Sequence, residues 1–279
     1  MNSTNLKEVQ KVEIEMMDLV IDICEKYNIK YILLGGTMLG AIRDGGMIPW
    51  DDDIDIGMPR EDFDKFVEIA KREIKSPYFF QTSLTDRTFK TQVRVRKNGT
   101  TAIQKKEWRA ESHRGIYIDI LPIDNIPDNE KDFNYEIGLI RSICSTRYID
   151  AGLNRMRDDE SLFKMRRMYM VMEDVIREYN RKYPNSEYVA SVVGYRVESS
   201  VGFKYHRRVL ETTKVPFKGS RHLVNVSKYY EDYLTRSYGN WRVPVKGLQD
   251  SNIFTDAYND VSVYDKLEKR DWDKLVGEK

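Results

Sequence analysis

The sequence predicts an α/β (α+β) fold, a mixed strand-and-helix first half followed by a mainly helical second half, with the change near residues 125–132. Three observations carry that prediction. Apolar residues recur at helical spacing through the first 27 positions. Short runs of continuous or alternating apolar residues then appear at 31–34, 53–57 and 116–120, each closed by glycine or proline. From about Asp128 onward the helical period returns, over 131–150 and 160–182.

Taken in order, Leu6, Val9, Val12, Met16, Leu19, Val20 and Ile23 place a helix over residues 4–27, ended by Asn28. Residues 31–34 read as a buried strand closed by Gly35 and Gly36. Thr37 is placed to cap a second helix running through Arg43, which Asp44, Gly45 and Gly46 break. The strand over 53–57 alternates Ile54 and Ile56 with Asp53 and Asp55. An amphipathic helix over 61–75 turns Phe63, Phe66, Val67, Ile69 and Ala70 inward. Strands follow at 78–82, 91–96 and 116–120, the last stopped at Pro122. A further helical segment is expected near 186–193. The organisation is therefore a core over residues 1–130 with a helical region, 131–279, packed on it.

At 279 residues, 41% hydrophobic and 33% charged, the chain can bury a sizeable core, which excludes wholesale disorder. A net charge of +1 gives no general case for nucleic acid. The charge is unevenly spread. Residues 1–60 hold six Lys/Arg against eleven Asp/Glu, whereas residues 141–221 hold seventeen against ten. That contrast fits an acidic site beside a surface for an anionic substrate; the plainer reading is a set of solvated helix faces. Cys24 and Cys144 lack metal-type spacing and read as buried thiols of a cytoplasmic protein. Residues 1–11 are polar and no apolar run reaches about 18 residues, so peripheral contact is the only membrane work expected, at the inner face.

Asp51, Asp52, Asp53 and Asp55 put four carboxylates into five residues. Two carboxylates about 4 Å apart repel by roughly 4 kcal/mol at an effective dielectric near 20, a load that water or a cation must relieve. Strand alternation lets Ile54 and Ile56 anchor one face while Asp53 and Asp55 share the other, roughly 6.5 Å apart. Such oxygen ligands suit Mg²⁺ or Mn²⁺ better than zinc. Asp119, between Ile118 and Ile120, is a third carboxylate, able to complete a metal site or to accept the proton of an attacking hydroxyl. Asp124 competes for that role. The Gly35-Gly36-Thr37 turn between strand and helix can hold a phosphate on free backbone N–H groups, with Arg43 two turns on as a guanidinium fork. Arg94 and Arg96 share one strand face and, with Lys97, either hold a diphosphate or form a solvated face. Asp52 completes the acidic side of the substrate site. Trp50, Trp108 and Tyr117 are aromatic candidates for holding a cation on their ring faces. His113, His206 and His222 show no ligand spacing.

Gly35-Gly36-Thr37, the Asp53-Ile54-Asp55-Ile56 strand and the Ile118-Asp119-Ile120 strand resemble the signature of the polymerase-β-like nucleotidyltransferase superfamily. The longer string from Gly35 to Phe63 resembles the LicD family, which includes the fukutin-related glycan phosphotransferases. Later landmarks are similar too, at 97–101, at 115–124 and at Tyr238-Gly239-Asn240 with Pro244. The resemblance spans roughly residues 10–245. It implies a nucleotidyltransferase-like mixed sheet and a metal on Asp53, Asp55 and Asp119. It also implies transfer of a phospho-alcohol, often phosphocholine, from a CDP-alcohol such as CDP-choline to a glycan hydroxyl, with release of CMP. The 131–279 region would then bind a glycan or teichoic-acid-like acceptor, free or lipid-linked. Lys218-Gly219, where the family tends to carry an acidic residue before glycine, departs from the pattern. Two other readings stand beside this one: a glycosyltransferase that uses Asp-x-Asp to hold a metal and a nucleotide sugar, and a non-catalytic relative that binds nucleotide or glycan. A calcium-stabilised domain is disfavoured, because the acidic run lacks regular loop spacing.

Overall fold

The computed structural model describes residues 5–88, 92–104, 112–135, 138, 159–191, 204–245 and 254–260. At its centre is a mixed sheet ordered β1 (Ile32–Leu33), β2 (Asp55–Pro59), β6 (Tyr117–Asn125), β4 (Val93–Lys97) and β3 (Tyr78–Gln81). β2 and β6 run parallel, and their neighbours pair antiparallel. Ile54, Ile56, Ile118 and Ile120 are all fully buried, as the alternation requires. The far end of β6 continues through β7 (Tyr188–Ala190) to β8 (Lys204–His206).

Helix α1 (Leu6–Tyr27) packs against β6 and β4 and buries Val9, Met16, Met17, Val20 and Cys24. The Asn5 side chain caps its start, and Asn28 ends it in the left-handed conformation at φ 50°. Helix α3 (Arg60–Glu73) packs on β2 and β6 with Phe63, Phe66, Ile69 and Ala70 inward. Helix α4 (Asp159–Lys182) matches the predicted 160–182 segment. β9 (Thr212–Pro216) and β10 (Leu223–Ser227) form a ribbon, and α5 (Tyr230–Tyr238) follows. β5 (Thr101–Ile103) pairs with β11 (Phe254–Asp256). Val209, Phe217, Val224, Val226, Tyr233, Leu234 and Trp241 join the same core cluster as the first half.

Several expectations are corrected. Helix α2 (Gly35–Arg43) starts two residues before Thr37, with Leu34 at its N-cap and no side-chain cap. The Thr37 hydroxyl instead accepts the Asp55 N–H at 2.9 Å, tying the helix to the strand. β2 begins at Asp55 rather than Asp53, because β1 turns into α2 after Leu33 and leaves Asp53 no strand partner on that side. β6 runs past Pro122 to Asn125. Asp119 N–H donates to Ile54 O, just before β2 (2.9 Å), so by alternation residue 122 faces the β4 side. There β4 pairing ends at Val93 opposite Ile120, and a missing N–H costs no ladder bond. The segment near 186–193 holds strand β7, not a helix. Of the helix expected at 131–150, residues 131–135 and 138 are helical; the rest, including Cys144, lies outside the described residues, as does Trp108.

Candidate active site

The turn from β1 into α2 brings a helix N-terminus against the acidic strand. Leu34 N–H bonds Asp55 O at 3.0 Å, and Met38 N–H is bonded back to Leu34 O. Gly35 sits at φ +54°, where a side chain is strained, and a Cβ there would lie 3.2 Å from Asp55 Oδ2. A Cβ on Gly36 would lie 2.7 Å from Asp51 Oδ2. The two glycines therefore let carboxylates stand directly over the positive end of α2. Gly35 N–H donates to the Tyr233 hydroxyl at 2.8 Å, so α5 also touches this turn.

Asp55 faces Asp119 across the parallel β2–β6 pair, and Asp119 faces Arg94 across β6–β4. Arg94 Nε grips Asp119 Oδ1 at 2.6 Å, with a looser Nη2–Oδ2 contact at 3.3 Å. Just before the strand, Asp51, Asp52 and Asp53 each present an oxygen within 4.8 Å of the others. Burial and then the charge of Asp53 push the Asp51 carboxyl up to about 8. Asp55 is held well above the usual carboxylate range by burial, then by Asp53, Asp119 and Asp51, against the opposing pull of Arg94. An all-carboxylate donor set, with Asp51 and Asp55 held above the usual carboxylate range, fits a hard divalent cation. Asp53 belongs both to this acidic loop and to the predicted Asp53, Asp55, Asp119 set.

Arg94 and Arg96 do share a face, but it is buried rather than solvated: they are 1% and 2% exposed and both stack on Tyr117. Arg96 is occupied by Gln81 Oε1 and Gly115 O at 2.6 and 2.7 Å. Lys97 turns to Glu15 on α1, over the Tyr78 ring. Arg43 forks onto Asp44 and reaches Trp241 O. Trp50 packs partly buried against the core. Asp124 is fully buried and held by Arg60 at 2.6 and 2.9 Å and by Asn180 at 2.8 Å, five residues along the strand from Asp119. His113 stacks on Phe79, His206 caps a 3-10 turn and His222 meets Asp22.

Tyr233 and Glu13 escaped the motif reading, and Tyr238 entered it only as a landmark with no role at the site. Tyr233 holds the glycine turn and stacks on Tyr205 with ring centroids 4.5 Å apart. Tyr238 puts its hydroxyl 3.8 Å from where a Gly35 Cβ would be, and its phenol is pushed up by burial and by Asp55. Glu13 on α1 is 1% exposed and held well above the carboxylate range by burial, then by Asp53, Asp52 and Asp51. Its position was legible. Glu13 lies four residues after Val9 and three before Met16, an acid on the apolar stripe.

Residues 28–138 match the profile of the LicD/FKTN/FKRP nucleotidyltransferase domain. Over 270 residues, 92% of this chain and 99% of the relative, the sequence is 27% identical to the lipopolysaccharide cholinephosphotransferase LicD of Haemophilus influenzae. A shorter stretch of 43 residues, 15% of this chain and 9% of the relative, is 46% identical to the human ribitol 5-phosphate transferase FKRP.

Proposed function

This chain belongs to the LicD family, and from that premise we propose that it is a phosphotransferase moving a phospho-alcohol from a CDP-alcohol to a glycan hydroxyl. Phosphocholine is the favoured group and CDP-choline the favoured donor, since the relative that matches along its whole length carries cholinephosphotransferase in its name. The observation that carries the reading is the alignment of Asp55 with Asp119 on parallel strands beside the Gly35-Gly36 helix start. That arrangement sets carboxylates and a phosphate-binding helix end at one point.

In the proposed reaction the acceptor oxygen bonds to the alcohol-bearing phosphorus, the bond from that phosphorus to the bridging oxygen breaks, and CMP leaves with the electron pair. Asp119 takes the hydroxyl proton on Oδ2, with Arg94 fixing the carboxylate through Oδ1. Backbone N–H groups at the start of α2 orient the diphosphate. Asp53, Asp55 and Asp119 would hold Mg²⁺ or Mn²⁺, which supplies charge neutralisation at the transferring phosphoryl group. The second half would offer the glycan or lipid-linked glycan its surface. Among the described residues no helix is long and apolar enough to cross a membrane.

Calorimetric titration with CDP-choline, CDP-ribitol and UDP-glucose, each with and without Mg²⁺, tests this reading without an acceptor. Cation-dependent binding of CDP-choline over the other two is expected. Preference for UDP-glucose would transfer the site to a glycosyltransferase chemistry, and preference for CDP-ribitol would change the alcohol but keep the reaction.

A further inference from the structure

Helix α1 contributes to the acidic loop in two ways. Gln10 Nε2 donates to Ile48 O at 3.0 Å and to Asp51 O at 2.8 Å, fastening the backbone of the loop to the helix. Glu13, one turn further along the same helix face, is almost entirely buried, and its Oε2 makes no hydrogen bond. Its strongest charged neighbours are Asp53, Asp52 and Asp51 in that order. A buried carboxylate oxygen without a donor is costly, and placing it beside three further carboxylates raises the cost again. A positive charge among them would offset both.

We propose that Glu13 completes a divalent-cation site with the loop Asp51–Asp53, so that α1 supplies a ligand from outside the strand carboxylates Asp55 and Asp119. Three observations support it: the clustered oxygens of Asp51, Asp52 and Asp53, the unbonded Glu13 Oε2, and the Gln10 clamp that fixes the loop against this helix. Carboxylates alone favour a hard cation of the Mg²⁺, Mn²⁺ or Ca²⁺ type. This inference rests on the proposed cation-dependent site and adds a residue to it.

The test is direct Mn²⁺ titration of the full chain by electron paramagnetic resonance, alongside thermal unfolding with and without Mn²⁺. Glu13→Gln keeps the shape and removes the charge. It should weaken Mn²⁺ binding by at least about tenfold and shrink the Mn²⁺-induced rise in Tm, while raising the Tm of the metal-free protein. A metal-free Tm at or above that of the wild type also shows that the variant is folded. Asp119→Asn serves as the comparison, because it removes a carboxylate of the proposed cation site and shows the loss of Mn²⁺ affinity that a ligand carries. Unchanged Mn²⁺ affinity in Glu13→Gln overturns the inference and makes Glu13 a buried neutral acid. Absence of Mn²⁺ binding to the wild type also overturns it. CDP-choline titration in the same wild-type sample then shows separately whether the donor reading stands.

Discussion

At the scale of single residues, the acidic loop and the start of β2 crowd buried carboxylates at a cost in stability. Asp55 is crowded by three carboxylates and opposed by one arginine. Asp55→Asn removes that repulsion and keeps the backbone bonds to Leu34 and Thr37. The metal-free protein should therefore hold its Tm or gain about 2–4 °C, the equivalent of roughly 1 kcal/mol in a chain of this size. Transfer should fall by at least about 10²-fold, read with CDP-choline and a glycan acceptor. A large loss of Tm would instead make the aspartate architectural. Asp51 gives a pH signature. Its carboxyl titrates near 8 in the fold against 3.8 for an ordinary Asp, so between those values the folded state binds the extra proton. The stability it contributes is present below about pH 4 and is lost as pH rises through 8. In metal-free buffer the Tm difference between wild type and Asp51→Asn should therefore drift against the wild type from pH 5 to pH 9. A difference that stays flat over that range would mean Asp51 is ionised throughout.

At the scale of elements, a buried charged cluster joins α3, β6 and α4. Arg60 bonds Asp124 twice and Glu173 once at 3.0 Å, Asn180 completes Asp124, and Arg177 pairs with Asp64. Arg60→Met strands a fully buried aspartate and should cost about 3–5 kcal/mol, a fall of roughly 10 °C or more in Tm. Arg60→Met combined with Asp124→Leu should recover most of it. Failure of the double variant to recover would show that the cluster holds α4 by more than charge balance. This cluster also marks the limit of what the sequence discloses. The helices α1, α3 and α4 and the strand isoleucines were legible because their period and burial agree. Asp119 and Asp124 were not separable, since both sit among apolar residues on one short run. Only the β2 and α3 neighbours show that one faces Asp55 and the other Arg60. Arg94 and Arg96 read equally as phosphate ligands or solvent, because burial of an arginine depends on partners such as Asp119 and Gln81 from distant segments. The β9–β10 ribbon was missed because β9 is mostly polar and the ribbon buries its apolar residues only on pairing.

At the scale of the molecule, the two halves close on one core and on one site. Tyr233 bonds the Gly35 N–H, Trp241 O receives Arg43, and β10 packs on β1. Val224, Val226, Leu234 and Trp241 are buried in the cluster that contains Ile32, Met38 and Ile56. A fragment of residues 1–130 would open that cluster to water and lose the hydroxyl that fixes the glycine turn. Each fully buried aliphatic or aromatic side chain that loses its cover costs about 1.5–3 kcal/mol, and several such losses exceed the 5–15 kcal/mol that holds a typical protein folded. The fragment should therefore show no cooperative thermal transition and should bind a hydrophobic dye. The full chain should unfold in one transition across the Gly35–Tyr233 contact. A sharp unfolding transition in the fragment, with dispersed amide resonances, would mean that the first-half core stands alone and that the second half is an attachment. The expected outcome has a functional corollary. If α5 closes the glycine turn, Tyr233→Phe should weaken CDP-choline binding more than it lowers Tm, because the lost bond orients the backbone that would hold the diphosphate. Equal affinity in Tyr233→Phe would confine the contribution of α5 to packing.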